Sequence, residues 1–466
     1  WAQSPIPNPQ SPIPNPHSLS RLFNNLKFNN ISQMEYNLDH YLKDKENITK
    51  DLNKLIQTCE KGSKLIFNSN STYILGMIIL KSDIELYFEE GSKIIASNNI
   101  KDFDYLSKDD LVVNKGETFM NCDYNGLPTK YFLYGKDIQN IKITGGYIDG
   151  NEEIFYGKIT ENAIDGKFYP RIPVLYLENV KNFNIFNTQI VKSGFWTIHL
   201  VGCDGGIIDR VKIINNRKFL CTDGIDADCS KNIIIKNCYI ESADDCIAFK
   251  STKYASKYGD NSNILVYNCE LKSTSAAIKF GTETIGNIHN ISIHDIIIKD
   301  TNRAISFQMR DGGNIYDIIF SNIKMETRRF SSREWWGKAE GIHISNLKRY
   351  SNGILGKIFN LSFENIDIDG ESGIFIYGED IINIKFNKIK IKLNNKTEYE
   401  KNLYDLRPCD IEYEIKDNLY VIYAYKAKNI LIENFSCEIN ENFQKYIVGF
   451  CSLNGIKNVV INNIQI

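Results

Sequence analysis

The chain has 466 residues and a formal net charge of −2, so nothing in its charge points to nucleic acid or an anionic membrane surface as a partner. Gly is 30 and Pro only 10, which excludes a low-complexity body, and no run of 18 apolar residues offers a membrane span. The 11 cysteines, an odd number without CxxC spacing, argue against a zinc site or a full disulfide framework and for buried free thiols.

Residues 1–30 carry a duplicated SPIPNP and no apolar period, and are expected to form a disordered linker or a fusion remnant. No signal peptide is visible and the first residue is Trp1; localisation is left open, with the exterior favoured by the substrate class below. Across 36–59, Leu38, Tyr41, Leu42, Leu52, Leu55 and Ile56 recur at three and four. That period predicts one or two amphipathic helices, interrupted near 46–49. A helix here would cap the open end of a solenoid, where a bare strand edge invites pairing with another chain. The cap (31–60) and the coils then form one domain over 31–466. Short strands follow at LIFNSN, TYILGMIIL, IELYF and KIIAS, then loops over 101–135, then strand, glycine turn and strand at IKITGGYIDGN (141–151).

The main coils run from 136 to 466. An Asn or small residue precedes an apolar alternation at Asn182, Gly206, Asn232, Asn263, Asn290, Asp317, Asn360, Asn383, Asn429 and Asn458. Most steps lie in the twenties; two, of 43 and 46, hide a weak coil or an insertion. This period, with Ile-rich strands and Asn near the bends, predicts an all-β, right-handed parallel β-helix. Asn at equivalent corners would stack and exchange side-chain hydrogen bonds. Sequons at Asn290 and Asn360 fall in that ladder and are read as structural Asn rather than glycan acceptors.

The stretch CTDGIDADCSKNIIIKNCYIESADDCIAFKS (221–251) holds Asp223, Asp226 and Asp228, then the pair Asp244-Asp245. Asp223 and Asp244 are 21 residues apart (244 − 223), close to one coil. Stacked strands roughly 4.8 Å apart would bring three carboxylates into one site. Crowded carboxylates cannot all ionise, so at least one pKa rises. One protonated acid beside ionised ones suits acid–base work on a glycosidic bond.

Counting 13 residues from each strand start places Trp196, Asp223, Asp244, Asp245, Ala276, Arg303 and the segment near Trp335 along one side, in a groove roughly 20–30 Å long. Trp196 and Trp335 either stack on sugar rings or pack in the core. His199 either contacts substrate or sits satisfied in the wall. Asp226 and Asp228 either cap a turn or touch substrate. Lys250 either pairs with the acids or binds substrate, and Glu283 either accepts from sugar hydroxyls or lies on an exposed bend. Arg303 and Arg310 either face substrate or hold a loop through an Arg–Asp pair such as Arg310-Asp311.

TGGYIDGN (144–151), GFWTIHLVGC (194–203), CTDGID (221–226) and DDCIAFKS (244–251) resemble glycoside hydrolase family 28, the polygalacturonase-like inverting hydrolases, over about 61–348. The resemblance implies a pectin-related polysaccharide or oligosaccharide substrate and no cofactor. It implies Asp244 as proton donor, and Asp223 with Asp245 as the pair that activates water. Three positions depart from the family pattern. Cys221 replaces the opening Asn, Ser275-Ala276-Ala277 replaces Gly-His-Gly, and Ser306-Phe307-Gln308 replaces Arg-x-Lys. In polygalacturonases those basic groups hold uronate carboxylates, and losing one leaves a charge unpaired. Plain polygalacturonan is therefore disfavoured, and Gln308 becomes a candidate contact to a different sugar. A neutral or branched glycan, or glycan binding without cleavage, stays open. SREWWGKAE (332–340) is similar to a subgroup of bacterial members of the same family. Oligomeric state is left open.

Overall fold

Isoleucine alternation along the strands and a left-handed residue at each bend build the solenoid. The computed structural model describes residues 34–43, 47–104, 128–168, 170–332, 334–401, 404, 406–407 and 419–465. The expected linker over 1–30, and 105–127 of the expected loops, lie outside them. Ile233 pairs in parallel with Ile264, Ile264 with Ile291, and Ile291 with Ile318. At the bends Asn232, Asn263, Asn290, Asn360, Asn383, Asn429 and Asn458 have φ between 54° and 59°. Asn enters this region far more readily than most side chains. The Asn263 amide donates to the Asn232 side-chain oxygen at 3.1 Å, Asn429 to Asn383 at 2.9 Å, and Asn458 to Asn429 at 2.9 Å. The expected ladder is present.

Two details differ from the sequence count. Gly206 pairs with Phe183 and Ile233, so the bend residue is Gly205, with φ 79°; glycine enters the left-handed region at no steric cost. The two long steps are insertions rather than hidden coils, because Ile318 pairs directly with Leu361 and Ile384 with Ile430.

Among the described residues, a 12-stranded parallel sheet runs from Ile78–Ile79 to Ile447–Asn454, and a 20-stranded sheet covers the other faces. Phe249, Phe280 and Phe307 point inward from the 12-stranded sheet and stack at 4.7 and 4.3 Å. Successive strand residues face opposite sides. Burying Phe249 and Phe280 in the core therefore sends Lys250 and Lys279 to the outer face.

Two helices, Leu38–Leu42 and Ile48–Thr58, close the N-terminal end, each capped by an Asn side chain (Asn37 and Asn47). Leu52, Leu55 and Ile56 are buried. From the same helix face, the Asn53 amide donates to the Met77 carbonyl at 2.7 Å and accepts from the Ile79 N–H at 2.8 Å. These bonds occupy backbone groups of the sheet's first strand, so the helix blocks the edge as the pattern predicts. Nine cysteines among the described residues carry free thiols, seven of them buried.

Candidate active site

Ile225 pairs with Ile247 across neighbouring coils, which sets Asp223 beside Asp245, each two residues earlier. One coil is thus 22 residues here (245 − 223). Asp244 rides on the same bend, its backbone carbonyl accepting from the Ser242 and Ser273 hydroxyls at 2.7 and 2.6 Å. One oxygen from each of Asp223, Asp244 and Asp245 lies within 4.8 Å of the others. Asp223 and Asp245 are 2% and 4% exposed; Asp244 is half-buried and opens the cluster to solvent.

Burial is the largest influence on Asp223, Asp226 and Asp244. With Asp226 and Asp244 beside it, burial pushes Asp223 well above the usual carboxylate range. Burial, then Asp245, raises Asp244, against the pull of Lys279, Arg407 and Lys250. Burial also holds Asp226 well above its ordinary value despite Lys250, whose ammonium is 3.6 Å away. Burial works against the Lys250 charge, but Asp226, Glu283, Asp223 and Asp245 outweigh it and raise its pKa. The pocket holds more carboxylates than ammonium groups, so protons stay on some of the acids. Asp245 lies 3.5 Å from the Lys279 ammonium and accepts from the Ser275 hydroxyl at 3.3 Å. Burial lowers the Lys279 pKa. The acid triplet is also the one grouping among the described residues close enough to share a cation. Lys279 and Arg407 already place positive charge beside it.

Three acids stacked on a parallel β-helix invite comparison with known proteins. The family description Glycosyl hydrolases family 28 matches residues 96–331, half of the chain, with all three acids inside the match. The chain belongs to glycosyl hydrolases family 28. It is 26% identical over 254 residues to an endo-polygalacturonase of Pectobacterium carotovorum, matching 52% of this chain and 60% of that protein. It is 28% identical over 239 residues to a probable exopolygalacturonase X of Aspergillus fumigatus, matching 49% and 47%. The chain therefore spans less than two thirds of the length of these relatives. The exopolygalacturonase of Thermotoga maritima shares the fold, with a TM-score of 0.65 at 19% identity, over 80% of this chain and 90% of that one.

In this family 28 chain the other candidates fall on the same outer face with different surroundings. Trp196 is buried, with the Lys250 ammonium 4.6 Å from its ring centre and the His199 ring edge-on at 4.9 Å. His199 lies 3.5 Å from Asp228, and neither ring nitrogen has a hydrogen-bond partner. Asp228 takes the turn-holding role, accepting from the Thr252 N–H and hydroxyl at 2.9 and 2.7 Å. Asp226 does not, and faces Lys250. Glu283 is 7% exposed, a wall residue rather than an exposed bend. Arg303 is buried and bonded to Glu340 at 3.1 and 3.2 Å. Arg310 is buried, while the Asp311 carboxylate accepts from Arg349 at 3.0 and 2.9 Å. Ser306 and Gln308 are fully buried.

The 13-residue count fails after Arg303. It leads to Phe330, whereas Ile305 pairs with Ile342, which makes Glu340 the next residue of the column. The segment with Trp335 is inserted before that strand. Trp335 is 4% exposed, packs with Ala163 and Ala243, and donates from Nε1 to the Asn162 carbonyl at 2.9 Å. It walls the acid bend from the side instead of offering a free ring; Trp336, 37% exposed, is the accessible one. Sequence reasoning missed Lys279, Ser275 and Arg407. Alternation in AAIKF carries a signal for Lys279, since inward Ile278 and Phe280 force it outward. Arg407 lies in the patternless insertion between Leu393 and Leu419, five coils on, and no local signal marks it.

Proposed function

We propose that this chain is an inverting glycoside hydrolase that cleaves an α-glycosidic bond in a pectin-related polysaccharide or oligosaccharide. The convergence of Asp223, Asp244 and Asp245 on one solvent-open bend carries the reading. Asp244 is the general acid: it is the half-buried member of the triplet, and its pKa is raised, so it keeps a proton to give to the departing oxygen. Asp223 and Asp245 hold equivalent places on adjacent coils and divide the work on a water: Asp223, which burial keeps protonated, orients it, and Asp245, beside the Lys279 ammonium, takes its proton. A two-carboxylate site with so tight a spacing would suggest retention, since inverting pairs sit roughly 6.5–9.5 Å apart. Inversion follows here from the division of the base role between two acids, which places the water rather than a carboxylate at the anomeric carbon.

The relatives named above are polygalacturonases by name, which supports a pectic glycan. Lys250 and Lys279 each face a carboxylate of the chain itself, and a uronate would compete with those pairs. This favours a neutral or branched pectic sugar near the acids as the second reading of substrate. Reducing ends released from a panel of pectic glycans test the hydrolase reading. Binding without any release would make the chain a non-catalytic glycan-binding β-helix. Proton NMR of the first-formed anomer tests inversion.

A further inference from the structure

Glu340, His343 and Ser345 belong to the strand Glu340–Asn346. Its register through Ile342, Ile305, Ile278 and Ile247 puts it three coils beyond Asp245, roughly 14 Å along the solenoid. Ile342 and Ile344 are turned into the core, so His343 and Ser345 both project from the outer face. The Ser345 hydroxyl is 3.1 Å from His343 Nε2, and His343 Nδ1 is 3.2 Å from a Glu340 carboxylate oxygen. The other acceptor beside the hydroxyl, the Phe307 carbonyl, is further off at 3.4 Å. Burial opposes charge on Glu340, but Arg303 and His343 outweigh it and hold this carboxyl well below its usual range. The ionised Glu340 accepts from Nδ1–H, which leaves Nε2 as the acceptor for the Ser345 hydroxyl.

The set is not a repeat of the solenoid. In register, His343 meets Ser306 and Phe375, and Ser345 meets Gln308 and Tyr377. Gln308 is 1% exposed, and neither its side-chain oxygen nor its nitrogen has a hydrogen-bond partner among the described residues. A buried amide without a partner is costly, and this one stands on the coil beside the hydroxyl. A donor there serves the negative charge that develops on a carbonyl oxygen when a hydroxyl attacks its carbon. The Phe375 ring lies 5.0 Å from His343, with Tyr404 stacked on it at 4.6 Å. Glu340 and His343 are fully buried and Ser345 is 5% exposed, so only a small group reaches the hydroxyl.

We propose that Ser345, His343 and Glu340 form a second hydrolytic site, a serine nucleophile with its base and orienting carboxylate, which cleaves esters of small carboxylic acids. Such a triad is defined by geometry and roles rather than by chain position. Ser345 Oγ bonds to the acyl carbon as its proton passes to His343 Nε2. The carbonyl oxygen takes up negative charge beside the Gln308 Nε2–H. As the carbonyl re-forms, the bond to the alcohol oxygen breaks and His343 gives its proton to that oxygen. Water then attacks the acyl-serine and gives a proton to Nε2. The acyl group leaves as the carboxylic acid, and His343 returns the proton to Ser345 Oγ. This site is separate from the acid triplet and does not rest on the glycosidase reading.

The test treats the full chain with p-nitrophenyl acetate and, separately, with diisopropyl fluorophosphate, which phosphorylates activated serines. Nitrophenolate release should saturate with ester concentration, and peptide mass mapping should find the phosphoryl group on Ser345. Ser345→Ala should lower release by about 100-fold or more with melting unchanged, and His343→Gln should abolish labelling of Ser345. Labelling of the unmutated chain needs no variant, so it decides the question even where a substitution disturbs folding. A chain unlabelled at Ser345, or ester release equal in the parent and Ser345→Ala, overturns the second site. Failure of the glycosidase reading would look different: no glycan releases reducing ends, yet Ser345 still takes the label.

Discussion

Asp223 and Asp245 stand side by side because the Gly224 N–H, on the residue after Asp223, donates to the Asp245 carbonyl at 2.9 Å. A ladder bond of the solenoid thus fixes the separation of two proposed catalytic groups. Asp244 is fixed just as firmly through the serine hydroxyls on its carbonyl. The acids pay little reorganisation on binding substrate, which is the condition under which electrostatic groups catalyse best.

Asp244→Asn removes the proposed proton donor and keeps the shape. Turnover should fall by on the order of 10²–10⁴-fold, with thermal melting and circular dichroism unchanged. Near-normal release of reducing ends by this variant would assign the acid elsewhere. In the parent chain, the raised Asp244 pKa should place the alkaline limb of kcat/KM above the ordinary carboxylate range.

Asp223 makes a stability prediction with a definite sign. Its folded-state pKa is raised well above 3.8 by burial first and by Asp226 and Asp244 next. Above about pH 4 the unfolded chain releases this proton while the folded chain keeps it. The contribution is complete at lower pH and is lost as pH rises toward the folded value. Asp223→Asn should therefore gain in Tm relative to the parent as pH rises from 4 to 7 and melt higher than the parent at pH 7. A variant that melts lower at neutral pH contradicts the assignment.

Lys279 is buried against Asp245 at 3.5 Å. Lys279→Met leaves that carboxylate without its ammonium, and kcat/KM should fall by about 10- to 100-fold. Lys279→Arg should retain more activity, because the charge is kept. Equal loss in both would mean that shape rather than charge matters at this position.

Asn263 has φ 56°, accepts from the Asn290 amide and donates to Asn232. Asn263→Ala should lower the unfolding free energy by about 1–2 kcal/mol for the left-handed backbone alone, with more for the broken ladder. Asn263→Gly should cost less, because only the side-chain bonds are lost. Urea unfolding of the two variants separates the terms.

The recurring Asn and the Ile alternation made the β-helix legible, because period and bend chemistry are local properties of the chain. The helical cap was legible for the same reason, in the spacing of Leu52, Leu55 and Ile56. Two acids one coil apart announced the site, since a constant coil length converts sequence distance into lateral contact. That conversion broke where the coil length broke: the insertion holding Trp335 displaced the count, and Glu340 took the place assigned to Phe330. Only the folded chain decided which charges meet the acids. Lys279, Arg407 and Ser275 reach them from later coils and loops, and the unpaired amide of Gln308 appears only once its neighbours are in place. Strand register is set by repeated short-range rules, whereas the surroundings of a buried charge depend on every segment that packs over it.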